Sequence, residues 1–276
     1  MLRVRDWWSC VVLWDERRHA VDGRHCRGVG TSRRIDIFTL VPEAFSWFVD
    51  QHPLSEAIEN GAVQVHIHNI RDHTRLLHGQ VDDTPYGGGP GMVMRVDAVG
   101  WALETVFGVP PRDVQKERRV MVLSAAGRPL DDSLAGSLAS DTRDLVLLCG
   151  RFEGFDARVA ELFATEEVSV GPYVVAGGEL PAMIVVEALV RKMPGVLGNE
   201  ASMVEESFSA ELGGAIEYPH FTRPREYLGH EVPEILLSGN HGAIAAWRRG
   251  MARPSAWVEW SGVEAPHGCG GSPANG

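Results

Sequence analysis

Hydrophobic and polar positions follow two alternating patterns between residues 34 and 192. Short apolar runs, alternating or uninterrupted, predict strands, and apolar residues three and four positions apart predict the helices between them. The predicted strands are residues 34–41, 63–70, 119–124, 144–149 and 167–170. The predicted helices are residues 54–60, 96–107, 131–140, 156–164 and 179–192, with Pro42 placed to begin a further helix. This order predicts an α/β fold in which helices cover both faces of a parallel sheet.

The segments on either side of this region differ from it in composition. Residues 1–33 combine tryptophans and cysteines without a regular pattern, and we expect a non-native or disordered extension there. Residues 198–214 are mostly small, polar or acidic, which predicts a flexible linker after a main domain at 34–197. A smaller domain is expected at 215–276, with turns at 218–225, a helix at 242–249 and an atypical tail rich in glycine, serine and proline.

Composition narrows the class of protein. Of the 276 residues, 44% are hydrophobic and 23% are charged, as in a soluble globular protein. No apolar run reaches the ~18 residues of a membrane span, so we expect no membrane partner. The four cysteines form no C-x-x-C pair, which favours a reducing, cytoplasmic location. The net charge of −11 argues against coating nucleic acid by bulk electrostatics but permits a local basic patch.

Three glycine-rich loops that follow strand-like segments are the main candidates for chemistry. They read VDDTPYGGGPGM at 81–92, CGRFEG at 149–154 and GPYVVAGGELP at 171–181. Glycine lets the backbone approach a ligand, and ligands of open parallel sheets bind at the carboxyl ends of the strands. A need for a tight turn would explain a single glycine-rich loop, whereas three such loops after strand-like segments favour a ligand site. None matches a P-loop or the G-x-G-x-x-G dinucleotide motif, which leaves a nucleoside-like cofactor.

Six motifs occur in one order between residues 34 and 249. They read VDDTPYGGGPGMVM, LLCGRFEGFDARV, EEVSVGPYVVAGGELPA, PGVLGNEAS, PHFTRP and VPEILLSGNH. Together they closely resemble the bacterial tRNA (guanine-37-N1)-methyltransferase family (TrmD) of the SPOUT superfamily. The resemblance implies a trefoil-knotted SPOUT methyltransferase domain with a parallel sheet, plus a small, mainly helical C-terminal domain that binds tRNA. It also implies a homodimer with its active site across the interface, S-adenosylmethionine as cofactor, a need for Mg²⁺, and tRNA with guanine at position 37 as substrate.

The resemblance also implies which residues hold S-adenosylmethionine. Glu153 is the candidate to face the positive charge of the cofactor, and a solvent-exposed loop carboxylate is its alternative. Pro172 stands where the family usually has aspartate, which removes a backbone donor from this loop. The implied cofactor-binding residues are Leu123, Ser124, Gly127, Gly150, Glu153, Gly154, Val170, Gly171, Pro172, Tyr173, Val174, Val175, Gly177 and Gly178.

Methyl transfer to guanine N1 requires a base, because N1 carries a proton near neutral pH. The resemblance implies Glu206 for this role, where the family usually has aspartate, and Glu205 is the alternative. Arg191 is implied as the cation that stabilises charge on O6, although a cation at a helix C-terminus also interacts with the helix dipole. Asp82 matches a family position tied to the guanine site and the tRNA. Without the resemblance, both glutamates would be interpreted as solvated linker residues.

RNA contacts are expected from arginines, each of which is otherwise a solvated surface residue. The candidates are Arg71, Arg223, Arg225 and Arg248. The basic ending usual in the family is absent after Met251. His66 and His68 would share a strand face, but no carboxylate spacing completes a zinc set, so no protein metal site is predicted. The departures at Glu206 and Pro172 leave one alternative function, a catalytically weak or inactive SPOUT module that binds S-adenosylmethionine and RNA.

Overall fold

The computed structural model describes residues 32–196, 206–209 and 211–254 of a chain that divides into two units, Met1–Leu197 and Gly198–Gly276. Almost all of the predicted extension at 1–33 lies outside the described residues, as do 198–205 and 210 of the predicted linker. The tail from residue 255 and the alternative base Glu205 lie outside them as well.

Every strand and helix predicted for the first unit is present. Its strands are β1 (Arg33–Thr39), β2 (Val63–Asn69), β3 (Asp82–Asp83), β4 (Val93–Met94), β5 (Arg119–Pro129), β6 (Leu145–Cys149) and β7 (Glu166–Ser169). Its α-helices are α1 (Leu54–Glu59), α2 (Val96–Phe107), α3 (Pro111–Glu117), α4 (Asp132–Ser140), α5 (Ala157–Phe163) and α6 (Glu179–Val190). Short 3-10 helices lie at Pro42–Phe45, Phe48–Asp50, Ile70–His73 and Leu77–Gly79, the first of them begun by Pro42 as predicted.

Five of these strands form a central sheet in the order β2-β1-β6-β5-β7. Every neighbouring pair in it is parallel. β6 lies in the middle, and all five of its residues are buried. Apolar residues on both faces of a strand are expected where helices cover both faces. The predicted α/β fold with a parallel sheet is thus confirmed, while β3 and β4 pair antiparallel outside this sheet.

Strand β5 is longer than predicted, because it continues past Ser124 to Pro129. Leu123 and Arg128 both pair with Val168 of β7, so the four residues between them form a bulge. The predicted end of this strand at residue 124 is therefore wrong. The small and polar residues of the bulge have a composition typical of a loop, which is why the strand was predicted to end there. The chain in fact leaves the sheet for these residues and then pairs with β7 again.

Helices pack on both faces of the sheet, as predicted. α1, α4 and α6 lie over the face that contains Ile37, and α2, α3 and α5 lie over the face that contains Phe38. Two helix starts follow from aspartates whose carboxylates accept backbone hydrogen bonds. Asp131 caps α4 in this way and Asp156 caps α5. Because an apolar core lies on each face of the sheet, the carboxyl ends of its strands are held in place from both sides.

The second unit contains strands β8 (Glu226–Tyr227) and β9 (His230–Glu231) and helices α7 (Glu234–Leu237) and α8 (His241–Met251). The strands form an antiparallel hairpin, and α8 includes the helix predicted at 242–249. Ile216 and Arg253 exchange backbone hydrogen bonds of 2.8 and 3.0 Å. Within the described residues of either unit, no helix is long and apolar enough to cross a membrane.

Candidate active site at the carboxyl edge of the sheet

Two of the glycine loops meet at the carboxyl edge of the sheet. The backbone nitrogen of Gly178 donates a 2.8 Å hydrogen bond to the carbonyl of Gly150, and Arg151 forms an isolated bridge with Gly177. A Cβ atom on Gly178 would lie 2.6 Å from Cα of Cys149, which is closer than packed carbon atoms approach. The loop after β7 can therefore cross the end of β6 because residue 178 has no side chain.

The first glycine loop, at 81–92, packs on the second. The backbone nitrogen of Glu153 donates to the carbonyl of Met92 at 3.0 Å, and that of Met94 donates to Gly154 at 2.8 Å. A Cβ atom on Gly91 would overlap the carboxylate of Glu153, so this side chain lies directly over the glycine. The loop connects β3 to β4, which form a two-stranded sheet outside the central one. The three glycine loops nevertheless lie together.

The bulge of β5 lies against the end of β7. A Cβ atom on Gly127 would overlap the backbone of Val168, so the two strands approach closely only at a glycine. Leu123 before the bulge is buried, and Ser124 accepts a 3.2 Å hydrogen bond from the backbone nitrogen of Ala126. The implied cofactor residues at 123–127 thus occupy the same edge of the sheet as the loop at 149–154.

A partly buried ion pair connects these loops through two residues that the sequence motifs did not indicate. Glu179 is 4% exposed and accepts hydrogen bonds from the Thr39 hydroxyl at 2.6 Å and from Nε of Arg151 at 3.1 Å. The end of β1, the second loop and the start of α6 are held together in this way. The available signal was the presence of charged residues inside two glycine loops, Arg151 beside Glu153 in the second and Glu179 in the third. Burial raises the pKa of the neighbouring Cys149 thiol well above its usual value, and the charge of Glu179 adds to the rise.

Large apolar side chains remain exposed around the loops. Val174 is 90% exposed, and Tyr173 and Phe152 are each 52% exposed. On α6, Leu180 and Ile184 are 59% and 44% exposed. Exposed apolar surface of this kind marks a binding site for a ligand or for another protein molecule.

The three predicted catalytic residues belong to three different segments of the chain. Asp82 lies in β3 at the base of the first loop, and its carboxylate accepts no hydrogen bond within the described part of the chain. Arg191 follows the last residue of α6, whose 12 residues span roughly 18 Å from the loops. Glu206 lies in the second unit, where its carbonyl accepts a 3.0 Å hydrogen bond from Ser209. Asp82 is therefore near the loops of its own chain, whereas Arg191 is at the far end of α6.

Glu187 precedes Arg191 by one turn of α6 and adds a titratable group to its surroundings. Burial raises the pKa of Glu187, and the positive charges of Arg191 and His52 oppose the rise. Burial outweighs these charges, so the carboxylate of Glu187 takes up a proton more readily than that of an exposed glutamate.

The predicted RNA-binding arginines are spread over both units. Arg71 lies in the 3-10 helix Ile70–His73 and donates a 3.1 Å hydrogen bond to the carbonyl of Gly79. Arg223 and Arg225 are exposed. Arg248 lies with its guanidinium 4.9 Å from the ring centroid of Tyr218, a contact that the sequence did not indicate. Three of the four candidates thus belong to the second unit.

His66 and His68 share a face of β2, as predicted, with ring centroids 6.4 Å apart and planes within 7° of parallel. His68 and Arg34 both bind the buried carboxylate of Asp36, at 2.7 Å each. Burial opposes ionisation of Asp36, but these hydrogen bonds lower its pKa below the usual value. In the ranges that the structure describes, no group of three or more His, Cys, Asp or Glu residues is placed to hold a metal ion.

A shallow depression of about 710 Å³ lies at the opposite edge of the sheet, where the strands begin. Its walls carry Arg119, Arg128 and Arg143. Arg119 binds Glu166 at 2.5 Å, and Arg143 binds Asp141 at 2.7 Å. Because carboxylates already pair with these guanidinium groups, we assign no ligand to this depression.

The chain is similar to known proteins over most of its length. The family model described as tRNA (Guanine-1)-methyltransferase TrmD matches residues 33–259. A Brevibacillus brevis protein named tRNA (guanine-N(1)-)-methyltransferase is 46% identical over 215 residues, which cover 78% of this chain and 84% of the relative. A protein of the same name from Desulforamulus reducens is 48% identical over 78% of this chain and 82% of its own length. One from Synechococcus is 42% identical over 83% of this chain and 96% of its own.

Proposed function

The chain belongs to the tRNA (guanine-1)-methyltransferase family, and we propose that it transfers a methyl group from S-adenosylmethionine to N1 of the guanosine 3′ of the anticodon, at position 37 of tRNA. The observation that carries this proposal is the family match over residues 33–259, which includes all three glycine loops. The convergence of those loops at one edge of the sheet supports it. In line with the family, we propose that the protein acts in the cytoplasm.

The loops fit a nucleoside-like cofactor held by backbone atoms. Gly127 and Gly178 permit close backbone contacts that a Cβ atom would prevent, and the exposed Tyr173 and Val174 offer apolar surface. When bound, S-adenosylmethionine supplies an electrophilic methyl group on its sulfonium sulfur. We propose that the loop residues at 123–127, 150–154 and 170–178 hold it, with Glu153 facing its positive charge. Because Pro172 has no backbone donor, its neighbours provide the hydrogen bonds in that loop.

The chemistry on guanine is assigned to three side chains. Glu206 is proposed to accept the N1 proton, and a positioned general base of this kind contributes ~10²–10⁴ in rate. Arg191 is proposed to stabilise the negative charge that gathers on O6 as the proton leaves. Asp82, whose carboxylate accepts no hydrogen bond in the described residues, is proposed to bind donors of the substrate beside the first loop.

Two copies of the chain are proposed to form each active site. Arg191 lies roughly 18 Å along α6 from the loops of its own copy, which supports a contribution from a partner. The exposed Leu180 and Ile184 on α6 support an interface with a second copy. A trefoil knot in the first unit is proposed from the family, and the close passage of Gly178 over Cys149 is consistent with it.

The part of the second unit from residue 215 onwards is proposed to be the small, mainly helical tRNA-binding domain, and residues 198–214 are proposed to link it to the first unit. The exposed Arg223 and Arg225 support this role, and further RNA contacts are proposed for Arg248 on α8 and for Arg71 of the first unit. Mg²⁺ is proposed to assist through oxygen atoms of the RNA and of water, the ligands it commonly keeps. The knotted domain is proposed to extend over 34–197.

Transfer of labelled methyl groups from S-adenosylmethionine to two tRNA transcripts tests the proposal. The transcripts differ only in guanine or adenine at position 37, and Mg²⁺ is present. We expect label in the guanine transcript alone. If neither transcript is labelled although calorimetry shows that S-adenosylmethionine binds, the catalytically weak or inactive module is favoured. The departures from the family at Glu206 and Pro172 are the reason for considering this alternative. Equal label in both transcripts would indicate methylation of another nucleotide.

A further inference from the structure

The second unit contains a cavity of about 340 Å³ between the segment 218–221 and helices α7 and α8. Its walls are largely aromatic and carry cationic or titratable nitrogen groups. The residues that matter here are Tyr218, Phe221, Trp247, His220, His241 and Arg248. All of them belong to the described residues of this one unit.

The aromatic rings form open walls rather than a closed core. The rings of Phe221 and Trp247 lie 6.4 Å apart at 56°, and those of Tyr218 and His220 lie 5.0 Å apart at 51°. Among the described residues of the unit, Tyr218 alone is buried, while Phe221 is 46% exposed. Ring faces that serve only packing are normally covered, so the half-exposed ring of Phe221 leaves surface for a planar ligand.

We propose that this cavity binds one unstacked base of the tRNA substrate; the inference rests on the proposed function and specifies how the second unit holds RNA. Its volume is at the lower end of small-molecule sites, which measure ~300–1,000 Å³. Every base has a π face that stacks on aromatic side chains, and the Arg248 guanidinium on Tyr218 extends the stacking wall with a positive charge.

Charge around the cavity favours RNA over a peptide as the occupant. The exposed Arg223 follows Phe221 by two residues, and the exposed Arg249 follows Arg248. Guanidinium groups bind phosphate oxygens in a bidentate manner, so a base in the cavity would have its own phosphates within reach of arginine. His241, exposed at the start of α8, provides a ring nitrogen for the polar edge of the base.

The variant Phe221→Leu tests the proposal, because it removes one ring face and keeps an apolar side chain at a half-exposed position. Stacking of a base on an aromatic ring contributes enough that tRNA affinity should fall roughly 5- to 100-fold. Binding of S-adenosylmethionine and the melting temperature should not change. The matched control is Tyr227→Leu, which removes an exposed ring of β8 outside the cavity and should leave tRNA affinity unchanged.

A double-mutant cycle identifies the base that is bound. Abasic substitutions are placed one at a time in the anticodon stem-loop, and binding is measured with the wild-type chain and with Phe221→Leu. At one position the abasic site should weaken binding to the wild type but add nothing to the loss in Phe221→Leu. Full additivity of the two changes at every position would overturn the proposal. Normal tRNA binding by Phe221→Leu together with a lowered melting temperature would also overturn it, because the cavity would then be purely structural.

Two further outcomes distinguish a failure of the cavity assignment from a failure of the proposed function. A wild-type chain that methylates no tRNA would refute the proposed function. A wild-type chain that methylates tRNA, with a Phe221→Leu variant that binds tRNA normally, would refute the cavity assignment alone. Should Phe221→Leu fail to fold, His241→Ala replaces it, because His241 is an exposed wall residue and its loss should weaken tRNA binding in the same cycle.

Discussion

The proposed base at position 206 differs from the aspartate usual in the family by one methylene group. Glu206→Gln keeps the size and removes the basic carboxylate, so kcat should fall ~10²–10⁴-fold. Affinity for S-adenosylmethionine should stay unchanged, because Glu206 is not among the cofactor loops. Steady-state kinetics with tRNA and calorimetry with the cofactor measure the two effects. Glu211→Gln, an exposed carboxylate in the same unit, is the control, and full activity in Glu206→Gln would contradict the assignment.

The buried Glu179 is predicted to matter for stability and for the shape of the cofactor loops. Glu179→Gln replaces charged hydrogen bonds to Thr39 and Arg151 with neutral ones and should lower the free energy of unfolding by about 1.5–3 kcal/mol. Affinity for S-adenosylhomocysteine should fall with it, because the second loop and the start of α6 lose their connection. Urea unfolding and calorimetry provide the measurements. Glu161→Gln on the exposed side of α5 should change neither quantity, and equal effects of the two variants would argue against this role.

At the scale of elements, contact between the glycine loops depends on residues that have no side chain. Gly178→Ala would place a Cβ atom 2.6 Å from Cα of Cys149, so the loop after β7 must move away from the second loop. We predict a lower melting temperature and weaker cofactor binding. Gly136→Ala in α4 meets no atom within 4 Å and should instead stabilise the protein by about 0.5–1 kcal/mol, since alanine favours a helix more than glycine does. Thermal unfolding of both variants in parallel distinguishes them, and a stable Gly178→Ala with normal affinity would show that the contact is dispensable.

The elements that the sequence predicted are those with a strong apolar period. The buried run of β6, the periodic apolar face of α2 and the long apolar run of α6 define the positions of these elements, and the parallel sheet follows from their order. Helix α3 was not predicted, because Val114 is its one buried residue and the rest of its seven positions are mostly polar. Strands β3 and β4 have two residues each, which is too short for any period to be visible.

The parts of the candidate site that amino-acid composition marks could be predicted from the sequence. Glycine content and motif order located the three loops, but contacts between residues far apart in the chain leave no local pattern. The bond between Arg151 and Glu179 joins positions 28 residues apart, and the cavity beside Phe221 is formed by residues from three separate segments. The roles proposed for Glu206, Arg191 and Asp82 came from the resemblance and stay predictions.

At the scale of the whole molecule, acid should destabilise the fold. A hydrogen bond from Arg143 lowers the pKa of Asp141 to about 2, and hydrogen bonds from His68 and Arg34 lower that of Asp36 in spite of its burial. Because these pKa values are lower in the folded than in the unfolded state, the unfolded chain binds more protons in acid. The free energy of unfolding should therefore fall as the pH drops from 3.8 towards 2. Urea unfolding at a series of pH values should show a shallower loss for Asp141→Asn, and an unchanged slope would contradict this explanation.

The charge of the whole chain also limits how it can bind its proposed substrate. A net charge of −11 repels a polyanion, so affinity must come from local groups such as Arg71, Arg223 and Arg225 together with stacking on bases. A site that reads individual bases is consistent with a family that acts on a single guanine.

The most direct test of the central claim locates the methyl group in the product. Methylation at N1 blocks the pairing edge of guanine, so a reverse transcriptase copying the tRNA stops beside the modified base. After incubation with the wild-type chain, S-adenosylmethionine and Mg²⁺, primer extension should stop next to position 37 of the guanine transcript and run through the adenine transcript. Glu206→Gln should produce almost no stop. A stop at another position, or full read-through on a transcript that has taken up labelled methyl groups, would contradict methylation of guanine N1 at that site.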